Sequence, residues 1–174
     1  SEKEELKKEV DRLAEEVERL LRENEKRARD LERKIRKLLE ENRRAADEVR
    51  KEVDRTVDSE KADRVRKEIE KVLRHSEKVI REVTKRIRKL LEDSERIIRT
   101  AKRLIDEVLR AAEAGEVDVE EVKKRLEDLL EEVKELSKRS EDTLRKLAED
   151  VKRLAEDSNK KLEDLLEEAK ERAR

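Results

Sequence analysis

Apolar and small polar positions recur along this chain in one fixed pattern. Counted from Asn24, they stand at offsets 0, 4, 7, 11, 14 and 15: Asn24, Ala28, Leu31, Ile35, Leu38 and Leu39. The next block reads Asn42, Ala46, Val49, Val53, Thr56, Val57, and the preceding one Leu6, Val10, Leu13, Val17, Leu20, Leu21. The pattern returns as Ser76, Ile80, Val83, Ile87, Leu90, Leu91, then as Ser94, Ile98, Ala101, Ile105, Val108, Leu109. It appears again as Ser140, Leu144, Leu147, Val151, Leu154, Ala155, and as Ser158, Leu162, Leu165, Ala169. Steps of three and four residues keep all of these on one face of an α-helix. The period is 18 residues in five turns, or 3.6 per turn. A heptad repeat winds helices left-handed and an 11-residue repeat winds them right-handed. A repeat of 3.6 asks for neither, so the spacing predicts straight, untwisted helices.

Two places interrupt the pattern. At Val57-Asp58-Ser59, Asp58 or Ser59 has the side chain to cap a new helix. At Gly115-Glu116-Val117-Asp118, Gly115 suits a left-handed C-terminal residue and Asp118 an N-cap, with Glu121 as capping-box partner. Val117 and Val122 take the hydrophobic-staple positions, and Ser1 with Glu4 repeats the box at the start. The expected helices are therefore about 2–57, 59–114 and 119–173, each roughly 80 Å long at 1.5 Å per residue. The expected fold is all-α: one domain over 1–174, a single-chain, up-down-up antiparallel three-helix bundle.

The polar members of the repeat test that topology. In an antiparallel pair, residues at one level share an index sum. Asn24 with Ser94 and Asn42 with Ser76 both give 118, twice the position of the first turn. Ser94 with Ser140 and Ser76 with Ser158 both give 234, twice the position of the second. Two polar layers follow, Asn24/Ser94/Ser140 and Asn42/Ser76/Ser158. Between them stack the apolar triples Ala28/Leu90/Leu144, Leu31/Ile87/Leu147, Ile35/Val83/Val151 and Leu38/Ile80/Leu154. Ser137 and Thr143 are placed to extend the first layer and Asn159 the second. A buried polar group left without a partner costs about 1–3 kcal/mol, so such layers penalise a slipped register. A slide of one block would set Asn24 against Ala112.

Composition narrows the chemistry. The chain is 58% charged with no aromatic residue, Cys, Met or Pro, one Gly and one His. That removes thiol chemistry, His-cluster metal centres, glycine-rich phosphate loops and aromatic stacking platforms. No apolar run approaches a membrane span, and the residues at the start of the sequence are charged. Disorder is opposed by 44 Leu, Val and Ile and by near-cancelling charge, 50 basic against 51 acidic. His75, level with Asn159 and Arg43, reads as a boundary residue touching the second layer rather than a general base. We expect no catalytic, cofactor-binding or metal site, and no enzyme.

Charge distribution excludes further partners. The basic stretch Lys26 to Lys37 is diluted by Asp30 and Glu32, and residues 2–57 carry 18 basic and 18 acidic groups. Residues 59–114 carry 17 and 12, residues 116–174 carry 15 and 20, so the second and third helices attract each other. No uniformly basic face exists for nucleic acid, and the apolar stripe is needed for the core rather than for a membrane. No partner is required and a monomer is expected. The alternative is a helical interaction module that associates with itself or with a partner helix through Val79, Ile97, Leu130, Ala148 and Leu166, which flank the seam.

In its shared offsets, its Asn24/Ser94/Ser140 and Asn42/Ser76/Ser158 layers, its Glu/Lys/Arg surface and its minimal loops, the whole chain resembles computationally designed helical bundles with buried hydrogen-bond networks. The resemblance implies high thermal stability, use as a structural scaffold and no natural substrate. Spectrin-like repeats share the topology, but they carry core Trp and follow supercoiling heptads, which this chain lacks.

Overall fold

A computed structural model describes residues 2–56, 58–115 and 118–172, the last without its side chain. Three helices fill them: α1 (Glu2–Asp54), α2 (Ser59–Glu113) and α3 (Val119–Arg172), packed against one another with no strand among the described residues. All-helical architecture is what this composition dictates. Glu, Lys, Arg, Leu and Ala lose little side-chain freedom in a helix, and nothing inside the segments breaks the backbone ladder.

The ends follow the capping residues. Asp58 accepts the Lys61 backbone N–H at 3.3 Å and its carbonyl takes the Ala62 N–H at 3.1 Å, so Asp58 rather than Ser59 is the cap of α2. Asp118 caps α3 through the Glu120 N–H at 3.2 Å, with Val122 N–H on its carbonyl at 3.1 Å. Glu121 does not reach back to complete a capping box; its carboxylate lies 3.7 Å from Arg125 instead. Helix α1 stops at Asp54, three residues short of the expected 57. Its last N–H groups, Arg55 and Thr56, bond three residues back to Glu52 and Val53, and the Thr56 hydroxyl donates to the Glu52 carbonyl at 3.3 Å. A reversal into an extended Asp58 cap draws its backbone from this last turn. The Ser1–Glu4 box, the seam position Val57 and the Val117 staple lie outside the described residues.

Gly115 has φ +73° and donates to the Ala112 carbonyl at 3.2 Å, the left-handed close of α2 expected for it. A Cβ there would meet no atom within 4 Å, so its only cost is the backbone conformation. Gly115→Ala is expected to lose about 1 kcal/mol in denaturant unfolding, and Gly115→Asn to recover most of it, because Asn tolerates this region.

The helices form two compact units. The first comprises Ser1–Arg29 and Ile87–Leu144. Its core joins Leu6, Val10, Leu13, Val17 and Leu21 of α1 to Ala101, Ile105 and Val108 of α2 and Leu126, Leu129 and Val133 of α3. The second comprises Asp30–Arg86 and Arg145–Arg174. Its core joins Ala46, Val49 and Val53 to Ala62, Val65, Ile69 and Val72 and to Leu162, Leu165 and Ala169. The triples Ile35/Val83/Val151 and Leu38/Ile80/Leu154, all within this second unit, are buried as the repeat requires. The flanking residues Val79, Ile97, Leu130, Ala148 and Leu166 are half-buried. Ile97 and Leu130 pack against the first core and Leu166 against the second, so these three widen the inner face.

Ion pairs report the register from outside. In the first unit Lys123 approaches Glu9 (3.9 Å) and Arg27 approaches Glu141 (3.5 Å), both α1–α3 pairs with the same index offset. In the second unit Arg66 reaches back to Asp54 at 2.9 Å, and Arg64 pairs with Glu168 on α3. The two α1–α3 pairs, with equal offset, set these helices parallel in the first unit, and the pairs of the second unit place α2 beside both α1 and α3 there. Lying at the surface with at most half-buried side chains, each pair is worth only a few tenths of a kcal/mol. They select an arrangement more than they hold it together.

Candidate functional site

The only polar side chains that these cores bury among the described residues are Asn24, Asn42, Ser76, Ser137, Ser140 and Ser158. The two layers that contain them turn out differently.

The second layer, in the second unit, closes. Asn42 donates from Nδ2 to the Ser76 Oγ at 3.2 Å, and the Ser76 and Ser158 hydroxyls share a hydrogen bond at 3.0 Å. All three side chains are buried, at 1%, 1% and 3% exposure. Each helix contributes one member, so a single chain of hydrogen bonds ties α1 to α2 to α3 at one level. The amide oxygen of Asn42, which can only accept, has no hydrogen-bond partner, since neither serine hydroxyl donates to it. Neither expected extension joins in. Asn159 is half-buried without a bond to the layer, and His75, expected to touch it, is exposed on the outer face of α2.

The first layer, in the first unit, stays open. Asn24 is 4% exposed and Ser140 8%, but no hydrogen bond joins them and the Asn24 Oδ1 has no partner. Ser94, the expected third member, is half-buried, and its hydroxyl donates to the Leu90 carbonyl of its own helix at 2.9 Å. That local bond competes with the cross-helix one. The reason for the opening is visible in the neighbours. In the second unit the repeat buries Leu38 and Leu154 and leaves Leu39 and Ala155 half-buried. Around the first layer the burial shifts by one position, to Leu21 rather than Leu20 and to Ser137 rather than Leu136. Helix α2 there presents Leu90, Leu91, Ile97 and Ile98 only half-buried. The result is a partly open cleft of about 180 Å³, bordered by Asn24, Ser94, Ser137, Ser140 and Thr143 over walls that include Leu21, Leu90, Ile97, Val133 and Leu136. Ser137 and Thr143, placed by the sequence as extensions of this layer, therefore line a cleft beside it.

No protein family, curated protein or solved structure matches the chain. The chemistry of the site rests on its geometry alone.

That geometry offers hydroxyls and amides. Among the described residues no cluster of three or more His, Cys, Asp or Glu is disposed to hold a metal ion, and no helix is long and apolar enough to cross a membrane. A wider groove between α1 and α3 of the first unit, about 640 Å³, is lined by both signs of charge, including Glu9, Glu16, Arg19, Lys123 and Lys134. Arg19 donates from Nε to Glu16 at 3.2 Å. This hydrogen bond, with the charges of Arg19 and Lys134, holds the Glu16 carboxyl below its ordinary range against a smaller opposing effect of burial. Glu16 is thus a carboxylate committed to its neighbours.

Proposed function

We propose that the protein is a structural scaffold of de novo origin, a thermostable monomer whose polar layers specify the register and topology of three untwisted helices. The observation that supports this most directly is the closed Asn42–Ser76–Ser158 chain, one residue from each helix and all three buried. Such a chain does little for stability, since each hydrogen bond contributes about 1 kcal/mol net. It discriminates well, because any slipped pairing leaves its members unbonded in an apolar core. A repeat of 18 residues makes apolar positions interchangeable between blocks, and the closed layer removes that degeneracy.

A second reading, a helical module that binds itself or a partner helix, is favoured by the half-buried Leu90, Leu91, Ile97 and Ile98 in the first unit. Light scattering separates the two. The scaffold reading expects a mass of 20.8 kDa over a roughly hundredfold range of concentration, with helical circular dichroism retained to about 90 °C. A mass that rises toward the dimer value as concentration increases overturns it in favour of the module.

A further inference from the structure

We propose that the cleft beside Asn24 binds small neutral hydroxyl compounds of phenol size, with the ring held by aliphatic walls and the hydroxyl group on the Asn24 amide. Three observations carry this beyond the scaffold role. The first is size. The cleft measures about 180 Å³, and a protein cavity of about 150 Å³ lined by apolar side chains takes up benzene. The second is chemistry. Leu21, Leu90, Ile97 and Val133 offer an apolar slot, while Asn24, Ser137 and Ser140, each at least nine-tenths buried, gather hydrogen-bonding groups at its edge.

The third is the orphaned amide. Asn24 Oδ1 has no partner, and no hydrogen bond joins Asn24 to Ser94, Ser137 or Ser140. An amide has a donating and an accepting end of similar shape, and rotation about its last side-chain bond exchanges them. A phenolic hydroxyl also donates and accepts, so it satisfies either end the amide turns toward it. The second layer provides the contrast. It is built from the same residue types, but there Ser76 occupies the Asn42 amide, and the lining of the cleft includes none of its three members. Ligand charge is not favoured in either direction, because Asp93 and Arg139 border the cleft with opposite signs.

The test is a titration of the isotope-labelled full chain with phenol and, separately, benzene, followed by backbone amide shifts. Phenol is expected to saturate with a Kd on the order of 1 mM, moving residues 20–24, 90–97 and 133–143. Benzene is expected to bind the same place roughly tenfold more weakly, since it lacks the hydrogen bond. Asn24→Leu should abolish the preference for phenol, while Asn42→Leu, in the other layer, should leave it unchanged. Because leucine also fills space, Ser140→Ala provides a second variant that enlarges the cleft. It should weaken phenol several-fold and leave benzene unaffected. Equal affinity for phenol and benzene, shifts scattered outside these segments, absence of saturation (a cleft that holds water only), or a phenol preference that survives both substitutions each overturns the proposal.

Discussion

Ile69→Ala is expected to lower the unfolding free energy by about 3–5 kcal/mol, the upper part of the range for removing a large aliphatic side chain from a core. Ile69 is 0% exposed and sits in the second unit among Val49, Val53, Val65, Val72, Leu162 and Leu165, with Ala46, Ala62 and Ala169 completing the cluster. The cost depends on how well the surroundings collapse into the vacated space. Here they collapse poorly. Valine is stiff about its first side-chain torsion and alanine has nothing to extend. The chain also has no Met or aromatic residue to swing into the gap. Moving the helix backbones inward would also disturb the Asn42–Ser76–Ser158 chain, whose Ser76 lies seven residues along α2 from Ile69. Urea unfolding followed by circular dichroism measures the loss, and the slope against denaturant should be unchanged. Leu91→Ala removes a similar side chain from a half-buried position of the first unit and should cost about 1 kcal/mol. Similar losses at the two positions would mean that burial does not rank these sites.

The contrast between Ile69 and Leu91 also marks what the sequence makes legible. Helix identity, number and approximate ends follow from local chemistry. Gly115 closes α2 because only the left-handed region fits there, and Asp58 and Asp118 cap because a short carboxylate reaches the free N–H groups behind it. The level of the second layer follows from arithmetic on a repeat, because the turns fix the index sums and Asn42, Ser76 and Ser158 obey them. Other features are tertiary. The loss of the last α1 turn reflects how much backbone a reversal needs, which residue types do not encode. The one-position shift of burial around Asn24 is a rotation of about 100° in which side chain faces inward. Leu20 and Leu21, or Leu136 and Ser137, are neighbours in sequence that compete for the same slot, and packing chooses between them. A cleft is the space such choices leave, and no periodicity announces it. His75 shows the same limit from the other side. An angular position on a helical wheel placed it at the boundary, and the structure leaves it in solvent.

The two layers should respond to substitution with opposite signs. Ser76→Ala removes the residue through which all three helices are joined. The Asn42 amide, whose oxygen is already without a partner, then loses the acceptor of its Nδ2 as well. The Ser158 hydroxyl can turn to a carbonyl of its own helix, as Ser94 does toward Leu90, so the penalty falls mainly on Asn42. Stranding a buried amide costs about 1–3 kcal/mol, and that is the destabilisation expected in denaturant unfolding. Asn24→Leu works the other way. It deletes an amide oxygen that satisfies nothing and places an apolar side chain beside Leu21 and Val133, where space is already open. A gain of about 1–2 kcal/mol is expected from burying the added apolar surface and removing the orphaned group. Hydrogen exchange read residue by residue distinguishes a uniform change from a local one. Ser76→Ala should loosen protection around 42, 76 and 158, and Asn24→Leu should raise it around 24 and 140. Loss of stability in both variants would mean that Asn24 is satisfied in solution by a contact the open geometry does not contain. Neutrality in both would mean that neither layer carries the register.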